Sequence, residues 1–284
     1  MNNRPIGVFD SGVGGLTTVK ELHKVLPGED IVYFGDTGRV PYGTRSRQTI
    51  RKYSAQCMHY LLGQGAKALV VACGTVSSNL TDEDVAQLAG TLPYTGVVLP
   101  SARAACALSS EGRIGVIATS ASIRSGAYGR AIRAIQPSAQ VFGAACPLLV
   151  PLVENGMLQS GNQITRLTVE MYLEPLMREN IDTLILGCTH FPLLYDIIND
   201  ILDYKVTLVD SGAAAAQHMK ALLLEQDALS GRTEGGSTFY HVTDTVEGFA
   251  GVAKYFLQEE VSGNTTVVDL DTLADGTVKL PVKE

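Results

Sequence analysis

Short apolar runs recur along the chain between longer stretches of helical periodicity. Eight of them, at 6–9, 31–34, 68–72, 96–99, 114–118, 141–144, 183–186 and 206–209, are four or five residues long and rich in Val, Ile and Leu. Runs of that length, apolar almost throughout, are how strands buried on both faces of a parallel sheet read. Between them, Ile50, Tyr53, Cys57 and Leu61 fall at i, i+3, i+7 and i+11, along one face of a helix. Ile164, Leu167 and Met171 repeat that spacing further on and predict a second amphipathic helix. Alternating strand and helix predicts an α/β fold with parallel sheets. After Gly231 the pattern is less regular, with strands expected at 238–242 and 266–270, a helix at 246–258, and a weakly ordered tail over the last dozen residues.

The chain echoes itself. Val8-Phe9-Asp10-Ser11-Gly12 is similar to Leu208-Val209-Asp210-Ser211-Gly212, and Val71-Ala72-Cys73-Gly74-Thr75 to Leu186-Gly187-Cys188-Thr189-His190. In each, an apolar strand runs into small polar residues and then a helix start. Strand ends in α/β proteins favour such residues anyway, so the echo fits either two related lobes or shared local chemistry.

Composition narrows the function classes. With 45% apolar residues in 284, the chain can bury a sizeable core, in one large or two modest domains. The formal charge of −7 argues against a phosphate-tracking nucleic-acid binder and a basic membrane-surface protein. Asp10 interrupts the first apolar stretch, and residues 134–153 contain Pro137, Pro147 and Pro151, so neither reads as a signal core or a span. Cys57, Cys73, Cys106, Cys146 and Cys188 form no CxxC pair, which suits a reducing compartment. The expected setting is the cytoplasm.

Ligands of parallel α/β sheets bind beyond the carboxyl ends of the strands. Three strand-end turns therefore matter. Asp10-Ser11-Gly12-Val13-Gly14-Gly15 approaches a dinucleotide fingerprint, but the third glycine of GxGxxG would fall at Thr17. A tight turn with Asp10 or Ser11 capping a helix accounts for it equally well. Cys73 leaves one strand and enters a helix, where the positive helix end would lower a thiol pKa from about 8.5 toward neutrality. A small buried hydrophobe is the competing reading of a free cysteine. Cys188 has the same setting, with His190 two residues on to orient or deprotonate it. Here the bland account is a helix start, capped by Thr189 with Pro192 in its first turn. His23, His59, His218 and His241 are scattered singly, so no zinc spacing appears. Two thiols in equivalent positions of two lobes suggest one reaction in particular. Inverting a carbon by removing a proton from one face and returning one to the other needs two acid/base groups.

The same residues carry a family resemblance. Val8-Phe9-Asp10-Ser11-Gly12-Val13-Gly14-Gly15-Leu16-Thr17, Tyr33-Phe34-Gly35-Asp36-Thr37, Arg39-Val40-Pro41-Tyr42-Gly43-Thr44, Ala145-Cys146-Pro147-Leu148, Val150-Pro151-Leu152-Val153-Glu154 and Leu186-Gly187-Cys188-Thr189-His190 resemble bacterial glutamate racemase, in order, over roughly 6–212. The resemblance implies two pseudo-symmetric α/β lobes with mostly parallel sheets and the active site in the cleft between them. It implies a discontinuous first lobe, 1–98 plus 210–284, and a second lobe, 99–209. It implies cofactor-independent interconversion of L- and D-glutamate, with D-glutamate destined for peptidoglycan. Catalytic thiols would be Cys73 and Cys188, assisted by Asp10 and His190, with Glu154 supporting the histidine. Substrate contacts would fall on Asp10, Ser11, Pro41, Tyr42, Gly43, Gly74, Thr75, Thr119, Ser122, Thr189 and His190. Gly74 departs from the family's usual Asn, and a lost hydrogen bond to a charged group costs roughly 1.5–3 kcal/mol if nothing replaces it. The implied partners are a small-molecule substrate and at most a second copy of the chain in a homodimer, with neither nucleic acid nor membrane. Two other readings remain at this stage: a racemase of the same superfamily acting on aspartate or another amino acid, and a non-catalytic regulatory or binding protein.

Overall fold

In the computed structural model, which describes residues 1–270, the strands form two parallel sheets. The first has the order β10-β9-β2-β1-β3-β4, with β1 Ile6–Asp10, β2 Ile31–Gly35, β3 Ala68–Val71, β4 Tyr94–Gly96, β9 Thr238–Val242 and β10 Thr265–Val267. The second has the order β6-β5-β7-β8, with β5 Arg113–Ala118, β6 Gln140–Ala145, β7 Thr183–Leu186 and β8 Thr207–Asp210. The helices that matter for the cleft are α1 Leu16–Val25, α2 Arg47–Gly63, α3 Gly74–Asn79, α4 Asp82–Ala89, α5 Val98–Leu108, α6 Ser120–Ser125, α7 Ala127–Ile135, α8 Leu149–Glu154, α9 Gln163–Arg178, α10 Tyr195–Ile201, α11 Ser211–Glu225 and α12 Val246–Leu257.

The continuous apolar runs follow from burial on both sheet faces. In the first sheet Ile6, Val8, Ile31, Tyr33, Ala68 and Val70 join one cluster, which continues across to Ile117, Leu184, Leu186 and Cys188 of the second sheet's side. The alternate residues Phe9, Val32, Phe34, Leu69 and Val71 pack the opposite face, with Ile50, Cys57 and Leu61 of α2. The outer face of the second sheet holds Ile114, Val116, Ala118 and Ile185. This is the two-residue period of strands, with apolar residues required in both phases.

Both sheets have a switch point. The chain leaves β1 toward β2 on one side and returns to β3 on the other; it leaves β5 toward β6 and returns to β7. Neighbouring crossovers diverge there, which opens a crevice beyond the strand ends. Asp10 and Cys73 flank the first crevice, Thr119 and Cys188 the second. The sequence echo has a structural counterpart, because β8 lies beside β7 as β1 lies beside β3. Asp10 Oδ1 accepts from Gly12 N at 2.9 Å; Asp210 Oδ1 accepts from Gly212 N at 2.7 Å.

Some expectations are corrected. The run at 96–99 is not a strand: β4 ends at Gly96 and α5 begins at Val98. Pro100 is tolerated in a first helical turn. The N–H groups of Val97 and Val98 find a distant acceptor, the Ser77 hydroxyl, at 2.9 and 3.3 Å. On α9 the apolar spacing located the helix but not its buried side. Ile164, Leu167 and Met171 are exposed, and Thr165, Val169, Leu173 and Leu176 face the core. Strand β10 stops at Val267, short of the expected 270. The expected tail lies outside the described residues. Among the described residues no helix is long and apolar enough to cross a membrane.

Candidate active site

A cleft of about 340 Å³ opens between the carboxyl ends of the two sheets. Its lining brings together Ser11, Pro41, Tyr42, Gly43, Cys73, Gly74, Thr75, Thr119, Glu154, Cys188, Thr189 and His190 of the expected residues. Asp10 and Ser122 stand behind the wall. Asp10 lies under the first turn, and Ser122 backs Thr119 with their hydroxyls 3.0 Å apart. Sequence reasoning gave no role to Pro147, Val150 and Pro151, which supply the apolar wall beside Glu154. Their prolines and valine sat in the quoted motifs, but nothing local said which way they face. A larger, shallower groove of about 560 Å³ lies between α9 and α10. It holds no thiol, and its Arg166 is engaged by Glu170 at 3.0 Å and by Asp200.

The first turn is built around a buried carboxylate, Asp10, whose Oδ1 accepts from Gly12 N. Asp10 is buried, and its Oδ2 has no hydrogen-bond partner. Burial raises its carboxyl above the ordinary value, while the charge of His190 and the N–H groups of Gly12 and Gly15 pull it down. Neither Asp10 nor Ser11 caps α1, whose first turn has no side-chain cap. Instead Ser11 Oγ sits 3.3 Å from Cys73 Sγ.

Cys73 occupies the N-cap position of α3, as its place in the sequence required. Its thiol is nevertheless not acidified. Burial, reinforced by Asp10, pushes it up to about 12, against the pull of Ser11 and the Val76 N–H. One short helix end does not offset the loss of water around a thiolate. In the free cleft Cys73 therefore holds its proton.

On the opposite wall Cys188 Sγ lies 3.8 Å from His190 Nδ1, and His190 Nε2 lies 2.8 Å from Glu154 Oε1. Burial alone would lower this imidazole, but the Cys188 sulfur and the Glu154 carboxylate outweigh it and raise His190 to about 10. His190 is thus a cation at neutral pH, placed beside the Cys188 thiol. Its ring packs edge-on against Phe256 of α12, centroids 5.4 Å apart. Pro192 does sit at the start of the short helical turn after it, but Thr189 is no cap. The Thr189 carbonyl accepts from Thr17 Oγ1 of α1 at 3.0 Å. So the residue that broke the dinucleotide pattern ties the Cys188 turn to the other sheet, a role with no local signature.

The sign of the His190 shift gives a pH prediction. A cation raised from 6.5 to about 10 adds stability that is complete below pH 6.5 and is lost as pH rises through 10. Glu154→Gln removes one of the two groups that raise it. A charge-assisted hydrogen bond is worth roughly 1.5–3 kcal/mol, and Glu154 is partly exposed, so the upper limb of the kcat/KM profile should move to lower pH by about one unit. An unchanged limb in a pH–rate series would show that His190 does not titrate there.

The cleft between the ends of the two parallel sheets, with a thiol from each, is that of a chain of the racemase class. The Asp/Glu/Hydantoin racemase family matches residues 6–219, and the chain belongs to that family. It is 44% identical to the glutamate racemase of Geobacter metallireducens over 254 residues, 89% of this chain and 93% of that one. Among solved structures, glutamate racemase from Francisella tularensis in complex with D-glutamate superposes with a TM-score of 0.87 at 39% identity, covering 96% of this chain and 100% of that one. Escherichia coli glutamate racemase in complex with L-glutamate and the activator UDP-MurNAc-ala gives 0.71 at 27% identity, covering 89% and 95%.

Proposed function

We propose that the cleft interconverts L- and D-glutamate by a two-thiol proton transfer, with Cys73 addressing the α-proton of the D-isomer and Cys188 that of the L-isomer. The enzyme class rests on kinship with named glutamate racemases over most of both chains. The observation that carries the mechanism is the placement of the two thiols, one at a strand end of each sheet, on opposite walls of one cleft. We assign the first lobe to 1–98 plus 210–270 and the second to 99–209, a division that keeps β1 to β4, β9 and β10 in the first and β5 to β8 in the second, apart from Asp210 at the end of β8.

One thiol enters the cycle as thiolate and the other as thiol. The thiolate takes the α-proton from one face, the opposite thiol gives its proton to the other face, and the two cysteines have exchanged states. Cys73, held protonated by burial, is suited to the donor role in the resting cleft. For the reverse reaction it must first release its proton, and the charge of a bound substrate ammonium favours that. Among the described residues the lining contains no Lys or Arg. Substrate carboxylates are therefore held by hydroxyls such as Ser11, Thr75, Thr119 and Thr189, by backbone N–H groups, and by the field of His190. Those groups would also spread the negative charge that develops at Cα, in a site with little water. The D-glutamate so made would serve peptidoglycan, and a cell lacking the protein should then need D-glutamate to grow.

The direct test follows racemisation in heavy water, offering L- and D-glutamate and L- and D-aspartate in turn. Deuterium should enter Cα of the glutamate product, with aspartate turned over far more slowly. Faster turnover of aspartate would reassign the substrate, and an unlabelled product would exclude thiols in exchange with solvent.

A further inference from the structure

The turns that carry the two thiols touch each other through a glycine. A Cβ built on Gly74 would lie 2.3 Å from the carbonyl oxygen of Gly187 and 3.7 Å from Cys188 Cα. The first distance is about 1 Å short of ordinary contact. The strand end that carries Gly187 is held in place, since the Gly187 N–H donates to Ile117 O at 2.8 Å, and the Tyr128 hydroxyl lies 3.5 Å from the Gly187 carbonyl oxygen. Nor does Gly74 serve backbone freedom. It is the first residue of α3, where alanine would be the better helix former. What a side chain lacks there is space.

This contact is the middle of a longer seam. On one side Thr75 and Thr119 bring their hydroxyls to 2.9 Å, and Ser78 donates to Ser122 at 3.1 Å, so α3 meets α6 through paired hydroxyls. On the other side a Cβ at Gly14 would lie 2.2 Å from Thr189 Oγ1, and Thr17 donates to the Thr189 carbonyl. Cys73 and Cys188 sit directly beside the central contact, each next to one of its glycines.

We infer that Gly74 is a positioning residue: having no side chain, it lets the Cys73 turn seat against the Gly187 carbonyl and so fixes the gap across which two thiols address one substrate carbon. The inference rests on the two-thiol reading above. It also gives the departure at this position a cause in this chain. The Cβ of an asparagine would lie 2.3 Å from the Gly187 carbonyl oxygen, so the Cys73 turn could not seat as closely.

Gly74→Ala tests it, with kcat, KM, melting temperature and heavy-water labelling measured together. The melting temperature should fall by roughly 2–12 °C, the cost of about 1–3 kcal/mol for a methyl group forced against buried backbone, with the variant still folded at assay temperature. KM should change less than about threefold, while kcat falls about 100-fold, the scale of a 1 Å misplacement. The distinguishing readout is where deuterium goes. The wild type should label product, whereas Gly74→Ala should label the unreacted enantiomer, since the near thiol still exchanges the proton while the far one cannot complete inversion. A kcat within threefold of wild type would overturn the inference, and so would equal loss of exchange and inversion. Should Gly74→Ala not fold, Thr17→Val loosens the same seam without adding bulk and must show the same shift of label, or the inference fails. A wild type that puts no deuterium in product would instead remove the two-thiol reading, whatever the variants do.

Discussion

Cys73→Ala and Cys188→Ala should each lower kcat for glutamate racemisation by about 10²–10⁴-fold, the range for losing one general acid or base. The two losses should not add, because inversion needs both groups and removing either one already stops it. The variants should differ in what survives. With Cys73 gone, Cys188 remains beside His190 and can still exchange the α-proton of L-glutamate with solvent. With Cys188 gone, any residual exchange should fall on D-glutamate. Proton NMR in heavy water resolves both signals. Both side chains are small and buried, so melting temperatures should change little and the loss cannot be laid to unfolding. Full activity of Cys73→Ala would remove the two-thiol mechanism. Exchange surviving on the opposite enantiomers would keep the mechanism but reverse the assignment of faces.

Lys67→Met should be strongly destabilising although it lies far from the cleft. Lys67 Nζ lies 2.6 Å from Glu29 Oε2, and both side chains are almost wholly buried. The contact is an ion pair rather than an aligned hydrogen bond. The ammonium donates instead to the Asn2 carbonyl at 2.5 Å, and Glu29 Oε1 accepts from Ser230 N at 2.7 Å. One pair thus ties the approaches to β1, β2 and β3 to the segment before β9. Removing one partner leaves the other charge buried without compensation, which typically costs about 3–5 kcal/mol. For a chain of this size that is a fall in melting temperature of roughly 6–20 °C. Lys67→Met combined with Glu29→Gln should recover part of it, since no lone charge then remains. Activity per folded molecule should not change. Lys67 enters β3 at the end opposite Cys73, so a selective loss of kcat would mean that the pair also shapes the cleft.

Much of the architecture was legible in the chain. A strand buried on both faces leaves a short continuous apolar run, and a helix leaves a 3.6-residue period, so β1, β2, β3, β5, β6, β7 and β8 fall within a residue or two of the expected runs. The run at 96–99 misled because Val97, Val98 and Leu99 suit a strand as readily as a first helical turn, and the deciding acceptor, Ser77, lies about 20 residues away in sequence. The face of α9 misled because both of its sides carry apolar residues, and only packing chose Val169 and Leu173 over Leu167 and Met171.

The site was legible as a set of residues but not as chemistry. Position after a strand marked Asp10, Cys73 and Cys188, because strand ends are where a parallel sheet offers groups to a ligand, whereas Thr119 was marked by the family resemblance alone. The proton states could not be read that way. A helix N-terminus suggested an acidic Cys73 thiol, but the depth of burial decided otherwise. A histidine two residues from Cys188 suggested a group that orients or deprotonates the thiol, but the sequence did not show that Cys188 itself and then Glu154, 36 residues before the histidine, hold it as a cation.

By itself, then, the sequence determined the alternation of strands and helices, the parallel sheets, and which side chains stand at the strand ends, since each follows from a local period or a local turn. Only the tertiary structure decided which of those side chains face one another. The 3.0 Å bond from Thr17 to Thr189, the Lys67 and Glu29 pair, the cation at His190, and the backbone contact of Gly74 with Gly187 all join residues far apart in the chain. Their energies depend on distance and on exclusion of water, and neither is a property of neighbours along the sequence.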